Sequence, residues 1–226
     1  MTNPPLVSVV TATHQRHNLL LGRCIPSVWA QTYQPLEHLI VSDGPDPELR
    51  SQLKDLGYTT APRTNRRLVE LGRNWGLVGN AARAAGALLA AGDWICYLDD
   101  DNEFDPGHVA ATVAEAERTG ADLVCTAWRT PDGDLGGWAP PGTNHTDASA
   151  LLHRADALRV ASWQLSDRYT ATGYAADGDL VDRWVAAGLR WSFLPEPTVV
   201  YHPSAGRGGA AAYRSWLAAM NAQAAR

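Results

Sequence analysis

The 226-residue sequence predicts an α/β fold, a single domain with a mostly parallel central sheet and helices on both of its faces. Short runs of apolar and β-branched residues recur along the chain, and segments with helical periodicity separate them. The first run, over residues 6–13, is nearly continuous in apolar character, as expected of a parallel strand covered on both faces. The length allows one domain with a full core, whereas two complete domains would be cramped.

The predicted elements alternate between strand and helix through the first half of the chain. Pro26 lies inside the first helix and is expected to kink or divide it. Small residues dominate the third helix, which suits close packing on the sheet. The elements are a strand over 6–13, a helix over 19–31, a strand over 37–42, a helix over 48–56, a strand over 67–71, a helix over 79–91, a strand over 94–98, a helix over 106–119 and a strand over 122–128.

The second half begins with residues 130–147, which are rich in Gly, Pro and Asp and predict a long lid or binding loop. Regular structure resumes at 150–153, and helices are predicted over 154–161 and 178–187. Two short strands are predicted over 191–194 and 198–201. An i, i+3, i+4, i+7 stripe predicts a last helix that docks on the body or on a partner, which leaves a homodimer open. The stripe consists of Tyr213, Trp216, Leu217 and Met220.

Composition and charge exclude several classes of protein. Hydrophobic residues make up 45% of the chain, which is too many for a disordered protein. A net charge of −5 argues against general affinity for nucleic acid or an anionic membrane surface. The three cysteines are far apart and predict reduced core residues. The start has no signal-peptide pattern, and no stretch approaches the ~20 apolar residues of a transmembrane segment. A soluble, cytoplasmic protein is expected.

Three adjacent acids, Asp99, Asp100 and Asp101, directly follow the apolar run at 94–98. Three neighbouring carboxylates repel one another at neutral pH, so a folded protein keeps them together only when something offsets their charge. Side chains at the carboxyl end of a strand in an open α/β sheet face the crevice where ligands bind. Mg²⁺ and Mn²⁺ commonly bridge one or two carboxylates to a substrate's phosphates. We therefore predict a metal–diphosphate site, with a solvated acidic turn as the alternative.

Four motifs in this order resemble the family-2 glycosyltransferases, which have the GT-A fold. The motifs are a strand leading to Thr11-Ala12-Thr13-His14-Gln15-Arg16, a strand leading to Ser42-Asp43-Gly44, Asn74-x-Gly76 before an Ala-rich helix with Arg83, and Tyr97-Leu98-Asp99-Asp100-Asp101. The resemblance runs from Val7 to about His202. It implies inverting, metal-dependent transfer of a sugar from a nucleotide-diphosphate donor (a UDP-, GDP- or dTDP-sugar) to an acceptor hydroxyl. It also implies a nucleotide-sugar-binding half, residues 1–102, and an acceptor-binding half with a C-terminal helix, residues 103–226.

The resemblance implies that the donor nucleotide lies at the ends of the first two strands. Thr11, Thr13 and Asp43 match positions that hold the base and ribose in the family, and Arg16 and Asn74 belong to the same group of motifs. The nearby cations are Arg73 and Arg83, one of which is expected to face the base or the diphosphate. Asp43-Gly44-Pro45 also suits a simple turn. The family commonly has Asn directly after Arg83, where this chain has Ala84.

The metal ligands follow from the family's Asp-x-Asp motif, which Asp99 and Asp101 match. Asp101 is the expected direct ligand of Mn²⁺ or Mg²⁺, and Asp99 is expected to reach the ribose or a metal-bound water. Asp100 is open to either role. His202 lies where some members supply a third ligand, and imidazole suits Mn²⁺ better than Mg²⁺. The alternative for His202 is a polar residue that closes a strand.

Asp177 occupies the family position of the general base, and Asp179 is the reserve. A helix N-cap and an acid in the first helical turn are the alternatives for these two residues. Of the nine tryptophans, Trp138 in the long loop is the expected acceptor contact, because an indole face covers the C–H face of a sugar ring.

Two other functions compete with glycosyl transfer. A sugar nucleotidyltransferase shares the layered α/β design, but it usually needs a Gly-rich basic loop after the first strand, and residues 13–18 contain no Gly. A non-catalytic nucleotide-sugar-binding protein is the other alternative, and the retained acids at Asp99–Asp101 and Asp177 argue against it. The sequence has no P-loop, no dinucleotide fingerprint and no Ser-His-Asp or Cys-His arrangement.

Overall fold

One nine-stranded sheet runs through the part of the chain that the computed structural model describes, residues 3–62, 64–142, 146–166 and 176–203. Its strands are β1 (Val7–Thr13), β2 (Leu36–Ser42), β3 (Arg66–Glu70), β4 (Trp94–Tyr97), β5 (Glu103–Phe104), β6 (Leu123–Arg129), β7 (Leu135–Gly136), β8 (Leu151–Arg154) and β9 (Trp191–Val200). They lie in the order β3-β2-β1-β4-β8-β6-β9-β5, and β7 pairs with β6. Only β5, β7 and β8 oppose the common direction, so the predicted mostly parallel sheet is confirmed.

Helices follow most of the parallel strands. They are α1 (His17–Leu19), α2 (Ile25–Trp29), α3 (Pro47–Asp55), α4 (Asn80–Leu89), α5 (His108–Thr119) and α6 (Ala176–Ala186). A π-helical segment, Leu20–Cys24, separates α1 from α2 just before Pro26, which has no N–H to donate, so the first helix is divided as predicted. Short 3₁₀ turns cover Leu77–Gly79, Ala148–Ala150 and Ala155–Arg159.

Side-chain alternation along the strands builds a separate core on each face of the sheet. Val9 and Cys96 point to the core that α2, α3 and α5 cover, whereas Val10 and Tyr97 point to the core that α4 and α6 cover. Because both faces are apolar, the strands are nearly continuous in hydrophobic residues. The predicted placement of helices on both faces is confirmed.

Helix α4 lies very close to the sheet at Gly86. A Cβ atom on this residue would lie 2.4 Å from Cγ1 of Val10 and 3.1 Å from Cγ2 of Val41. The small residues of α4 therefore set the distance between the helix and β1, and that distance places the start of α4 beside the strand ends.

Two predicted features differ from the observed structure, and one observed strand was absent from the prediction. The predicted helix over 154–161 is the 3₁₀ segment Ala155–Arg159. The two predicted strands over 191–194 and 198–201 form the single strand β9, which shifts register against β6 between Thr126 and Trp128. This irregularity coincides with Pro195 and Pro197, which cannot donate to a strand ladder. The two-residue strand β5 is too short for a sequence pattern and was not predicted.

The predicted C-terminal stripe, from Tyr213 to Met220, lies outside the described residues, so the homodimer stays a prediction. Within the described ranges, no helix combines the length and the apolar character needed to cross a bilayer.

Candidate active site

The carboxyl ends of three adjacent parallel strands bring the candidate residues together. β1 pairs with β2 on one side and β4 on the other, and the last pair of the first register joins Thr13 to Ser42. The loop after β1, the Asp43 turn after β2 and the acids after β4 therefore share one edge of the sheet. Ligand crevices of open α/β sheets lie at such an edge.

Arg16 offsets the charge of two of the three adjacent acids. Its Nη1 lies 2.9 Å from Oδ1 of Asp100, and its Nη2 donates to Oδ2 of Asp101. The Thr13 hydroxyl donates to Oδ2 of Asp100 at 2.7 Å. Burial, together with the charges of Asp101 and Asp99, raises the pKa of Asp100 to about 6, and the contacts with Thr13 and Arg16 oppose that rise.

Arg83 offsets the charge of the third acid. Its Nη2 donates to Oδ1 of Asp99, its Nη1 donates to the Val78 carbonyl at 2.8 Å, and its guanidinium lies 5.3 Å from the Trp163 ring centroid. Burial alone would lower the pKa of Arg83, but Asp99 raises it above its ordinary value. Val78 has a φ of 53°, which is rare for a β-branched residue, so Arg83 also fixes the strained segment before α4.

Asp177 lies in the first turn of α6 and bonds to two backbone amides. Its Oδ2 accepts from the Ala148 N–H at 3.0 Å, and its Oδ1 accepts from the Gly178 N–H at 2.9 Å. Burial raises the pKa of Asp177, whereas the charge of Arg83 opposes the rise. Asp179 instead pairs with Nε of Arg183 at 3.0 Å along α6. Asp177 thus lies within reach of the charge of Arg83, whereas Asp179 is paired within α6.

Asp147 is an acid of this region that the sequence did not single out. Its Oδ1 accepts from the Ser149 N–H at 2.8 Å. Burial, followed by the charges of Asp99 and Asp177, raises the pKa of Asp147 to about 8. The sequence feature that could have identified Asp147 is its position, because it is the last residue of the predicted loop and caps the 3₁₀ turn that follows.

Asp43 holds the loop that follows β3. Its two carboxylate oxygens accept from the N–H groups of Trp75 and Gly76, at 2.9 and 3.0 Å. Asn74 contributes to the same loop, since its Oδ1 accepts from Gly76 and its Nδ2 lies 2.9 Å from Nε2 of His14. Arg73 stacks on the exposed Trp75 ring at 3.9 Å. Asp43 thus orders the Arg73–Gly76 loop at the edge where the nucleotide is predicted.

Thr11, in contrast, points into the core. Its hydroxyl is fully buried and contacts His38 Nε2 at 3.0 Å and Cys24 Sγ at 3.3 Å. Any contact between Thr11 and a nucleotide would have to come from the main chain.

His202 and Trp138 lie beside the acids and against the core, respectively. The His202 N–H donates to Oδ1 of Asn102 at 2.9 Å, and its Nε2 lies 2.7 Å from Oε1 of Glu103. A carboxylate bonded to one ring nitrogen is typical of metal-ligating histidines, which bind through the other nitrogen. Trp138 is partly buried and packs against the core that includes Val9 and Cys96.

The donor set fits a divalent cation that also binds phosphates. In the described ranges, no three His, Cys, Asp or Glu side chains are grouped so that they could hold a metal ion on their own. Mg²⁺ and related cations commonly use only one or two carboxylates plus substrate phosphates. From the described part of the chain, Oδ1 of Asp101 and Oδ2 of Asp99 accept no hydrogen bond, so each acid retains a hard oxygen for such a cation.

Comparison with known proteins agrees with this architecture. The sequence model of "Glycosyl transferase family 2" matches residues 8–176. The "Uncharacterized glycosyltransferase YwdF" of Bacillus subtilis is 36% identical over 118 residues, 52% of this chain and 40% of that protein. The "Putative colanic acid biosynthesis glycosyl transferase WcaA" of Escherichia coli is 27% identical, with the same coverage of both chains.

Two solved structures share the fold. The mannosyltransferase PcManGT from Pyrobaculum calidifontis, in complex with GDP-Man and Mn²⁺, gives a TM-score of 0.72 at 17% identity, covering 95% of this chain and 61% of that one. S. aureus TarS 1–349 in complex with UDP-GlcNAc gives 0.68 at 14% identity, covering 89% and 59%. Identities this low show the fold alone.

The matches are partial on the side of the relatives, because this chain aligns with 40% of the length of each curated relative. On its own side, the family match covers most of the chain, from β1 to the start of α6. The predicted resemblance and the predicted GT-A fold are confirmed, and the chain belongs to glycosyl transferase family 2.

Proposed function

We propose that this chain transfers a sugar from a nucleotide-diphosphate donor to an acceptor hydroxyl and inverts the anomeric carbon. The observation that carries the proposal is the meeting of Asp99, Asp100 and Asp101 with Arg16 and Arg83 at the ends of parallel strands. Family membership supports it, as do the donors in the complexes of PcManGT and TarS. Residues 1–102 would hold the donor, and residues 103–226 the acceptor.

The nucleotide would bind along the ends of β1 and β2. Asp43 keeps the adjacent loop ordered and retains lone pairs that can accept an imide N–H of a pyrimidine base. Arg16 is a partly exposed cation at this edge, and Arg73 is an exposed one. Guanidinium groups bind phosphate oxygens in a bidentate manner, which suits a diphosphate.

A divalent cation would be held by Asp101, with Asp99 reaching it through a water molecule or binding the ribose. His202 is the candidate third ligand, through the ring nitrogen that does not face Glu103. When bound, Mn²⁺ or Mg²⁺ supplies Lewis-acid neutralisation of charge on the departing diphosphate.

Asp177 would act as the general base. The acceptor oxygen attacks the anomeric carbon, the bond from that carbon to the diphosphate oxygen breaks, and Asp177 takes the acceptor's proton. A burial-raised pKa makes the Asp177 carboxylate a stronger base than an exposed one. The ion pair with Arg183 makes Asp179 the weaker candidate. Trp138 is the proposed contact for an acceptor sugar ring.

The experiment is a donor panel with an anomer-resolving readout. Wild type, Asp177→Asn and the control Asp156→Asn are incubated with nucleotide sugars, acceptors and Mn²⁺, and products are assigned by NMR. Asp156 is an exposed acid on the 3₁₀ segment before Trp163. We expect an inverted product from one donor, loss of turnover with retained donor binding in Asp177→Asn, and normal turnover in Asp156→Asn.

Other outcomes separate the alternatives. Formation of pyrophosphate from a nucleoside triphosphate and a sugar phosphate would identify a sugar nucleotidyltransferase. Tight donor binding without turnover across the acceptor panel would identify a non-catalytic nucleotide-sugar-binding protein. A retained anomeric configuration would contradict direct displacement.

A further inference from the structure

The 3₁₀ turn Ala148–Ala150 lies between the segment of the three acids and Asp177. On one side, the Ser149 hydroxyl oxygen accepts from the Asp99 N–H at 3.2 Å and from Nδ2 of Asn102 at 3.0 Å. Ser149 is fully buried. Its side chain therefore binds both ends of the Asp99–Asn102 segment and has no access to a substrate.

On its other side, the same turn holds the proposed base. The Ala148 N–H donates to Oδ2 of Asp177, and the Ser149 N–H donates to Oδ1 of Asp147. Two consecutive residues thus connect the donor-binding acids to the start of α6. Asn102 extends the connection, because its Oδ1 accepts from the His202 N–H at 2.9 Å.

We propose that Ser149 is a positioning residue that sets the distance between the donor-binding segment Asp99–Asn102 and the base Asp177. This inference rests on the proposed function. A single in-line displacement requires reacting atoms about 3–3.5 Å apart, so the base and the donor must keep a fixed separation. Ser149 fixes this separation, because its hydroxyl binds the Asp99–Asn102 segment and the neighbouring Ala148 N–H binds Asp177.

The test compares Ser149→Ala with the control Ser8→Ala. Ser8 is also fully buried, accepts a backbone N–H from Gly92 at 2.9 Å and bonds to a second side chain, Glu37. It lies near the amino end of β1, whereas Thr13 and the site lie at the carboxyl end. Each variant therefore removes one buried hydroxyl that takes part in two hydrogen bonds, and the two hydroxyls lie at opposite ends of the sheet.

We expect Ser149→Ala to lower kcat by roughly 10- to 100-fold, the cost of a misplacement on the order of 1 Å, with the donor Kd nearly unchanged. Ser8→Ala should leave kcat unchanged. Ser149→Cys nearly keeps the size of the side chain but has a weaker hydrogen-bond acceptor, so it should also lower kcat. This variant tests the inference if the alanine variant does not fold.

Hydrogen exchange supplies a readout that does not depend on turnover. In the Ser149 variants, exchange should accelerate at Asp99, which bonds to the hydroxyl, and also at Ala148 and Gly178, which bond to Asp177. Acceleration confined to Asp99–Asn102, or a kcat equal to that of Ser8→Ala, would overturn the inference. If no protein in the series transfers sugar, the proposed function fails, and the exchange at Ala148 and Gly178 still decides whether Ser149 positions Asp177.

Discussion

Replacing Arg83 by methionine should weaken the fold and also shift the pH dependence of sugar transfer. The guanidinium binds the Asp99 carboxylate and the Val78 carbonyl, and its charge opposes the rise in the pKa values of Asp147 and Asp177. Methionine keeps an apolar stem of similar length, so the substitution removes the charge and the donors with little change in packing.

The magnitude follows from the contacts that are lost. The Arg83 side chain is 13% exposed and that of Asp99 is 25% exposed, so solvent screens their ion pair only partly. Hydrogen bonds to charged groups contribute roughly 1.5–3 kcal/mol, and an unpaired, partly buried carboxylate adds to the loss. We expect the free energy of unfolding to fall by about 2–4 kcal/mol.

The pH effect has a definite sign. Without the positive charge of Arg83, the pKa of Asp177 rises further, because that charge normally favours the ionised form. A general base works only when deprotonated. The acidic limb of kcat against pH should therefore move to higher pH in Arg83→Met, and part of the lost rate should return as the pH is raised.

The assay is a pH series of kcat with saturating donor, together with urea unfolding. Arg129→Met is the matched control, because Arg129 also binds a carboxylate, Asp105, and a backbone carbonyl, that of Pro197. Its loss should lower stability without moving the pH profile. An acidic limb for Arg83→Met that superposes on the wild-type limb would refute the electrostatic coupling between Arg83 and Asp177.

Three further substitutions test the packing of α4 on the sheet, the protonation of His153 and the ordering of the loop that Asp43 holds. In urea titrations, Gly86→Ala should lower the free energy of unfolding by about 1–3 kcal/mol, because the added Cβ would clash with Val10. The control Gly22→Ala should be nearly neutral, because a Cβ added there would meet no atom within 4 Å beyond its chain neighbours and its own helix backbone. Burial lowers the pKa of His153 from 6.5 to about 4. Between these two pH values the unfolded protein binds more protons than the native protein, so the native protein loses stability as the pH falls. This dependence, worth about 3 kcal/mol, should flatten in His153→Gln, and an unchanged slope would contradict it. Asp43→Ala should weaken donor binding in calorimetry by about tenfold or more, which corresponds to about 1.4 kcal/mol. The reason is that the loop that Asp43 holds must then become ordered on binding. Unchanged affinity would show that this loop does not border the donor.

The strand ends could be read from local sequence. Apolar runs that stop at Thr13, Ser42 and Leu98 identify strands, and right-handed parallel topology then brings the residues after them to one edge. The location of the candidate site could therefore be predicted without knowledge of long-range contacts, and it stays a prediction. The predicted family and fold are confirmed by the family match and by the solved structures that share the fold.

Pairings across the fold could not be read in the same way. Arg16 and Asp101 are 85 residues apart, and nothing local indicates that arginines offset the charge of the acids. The antiparallel strand β8 has four residues and no signal of direction. Thr11 resembles Thr13 in sequence, yet its hydroxyl bonds to core residues, a difference set by the tertiary neighbours His38 and Cys24.

The most direct test of the proposed metal–diphosphate site is to measure the binding of UDP, GDP and dTDP by calorimetry, with Mn²⁺ and with chelator. Wild type is compared with Asp101→Asn and with the control Asp93→Asn, which changes an exposed acid just before the amino end of the same strand, β4. We predict that one nucleoside diphosphate binds in a metal-dependent manner, and that Asp101→Asn, but not Asp93→Asn, loses this binding. Equal affinity with and without metal, and in Asp101→Asn, would contradict a metal–diphosphate site at the end of β4.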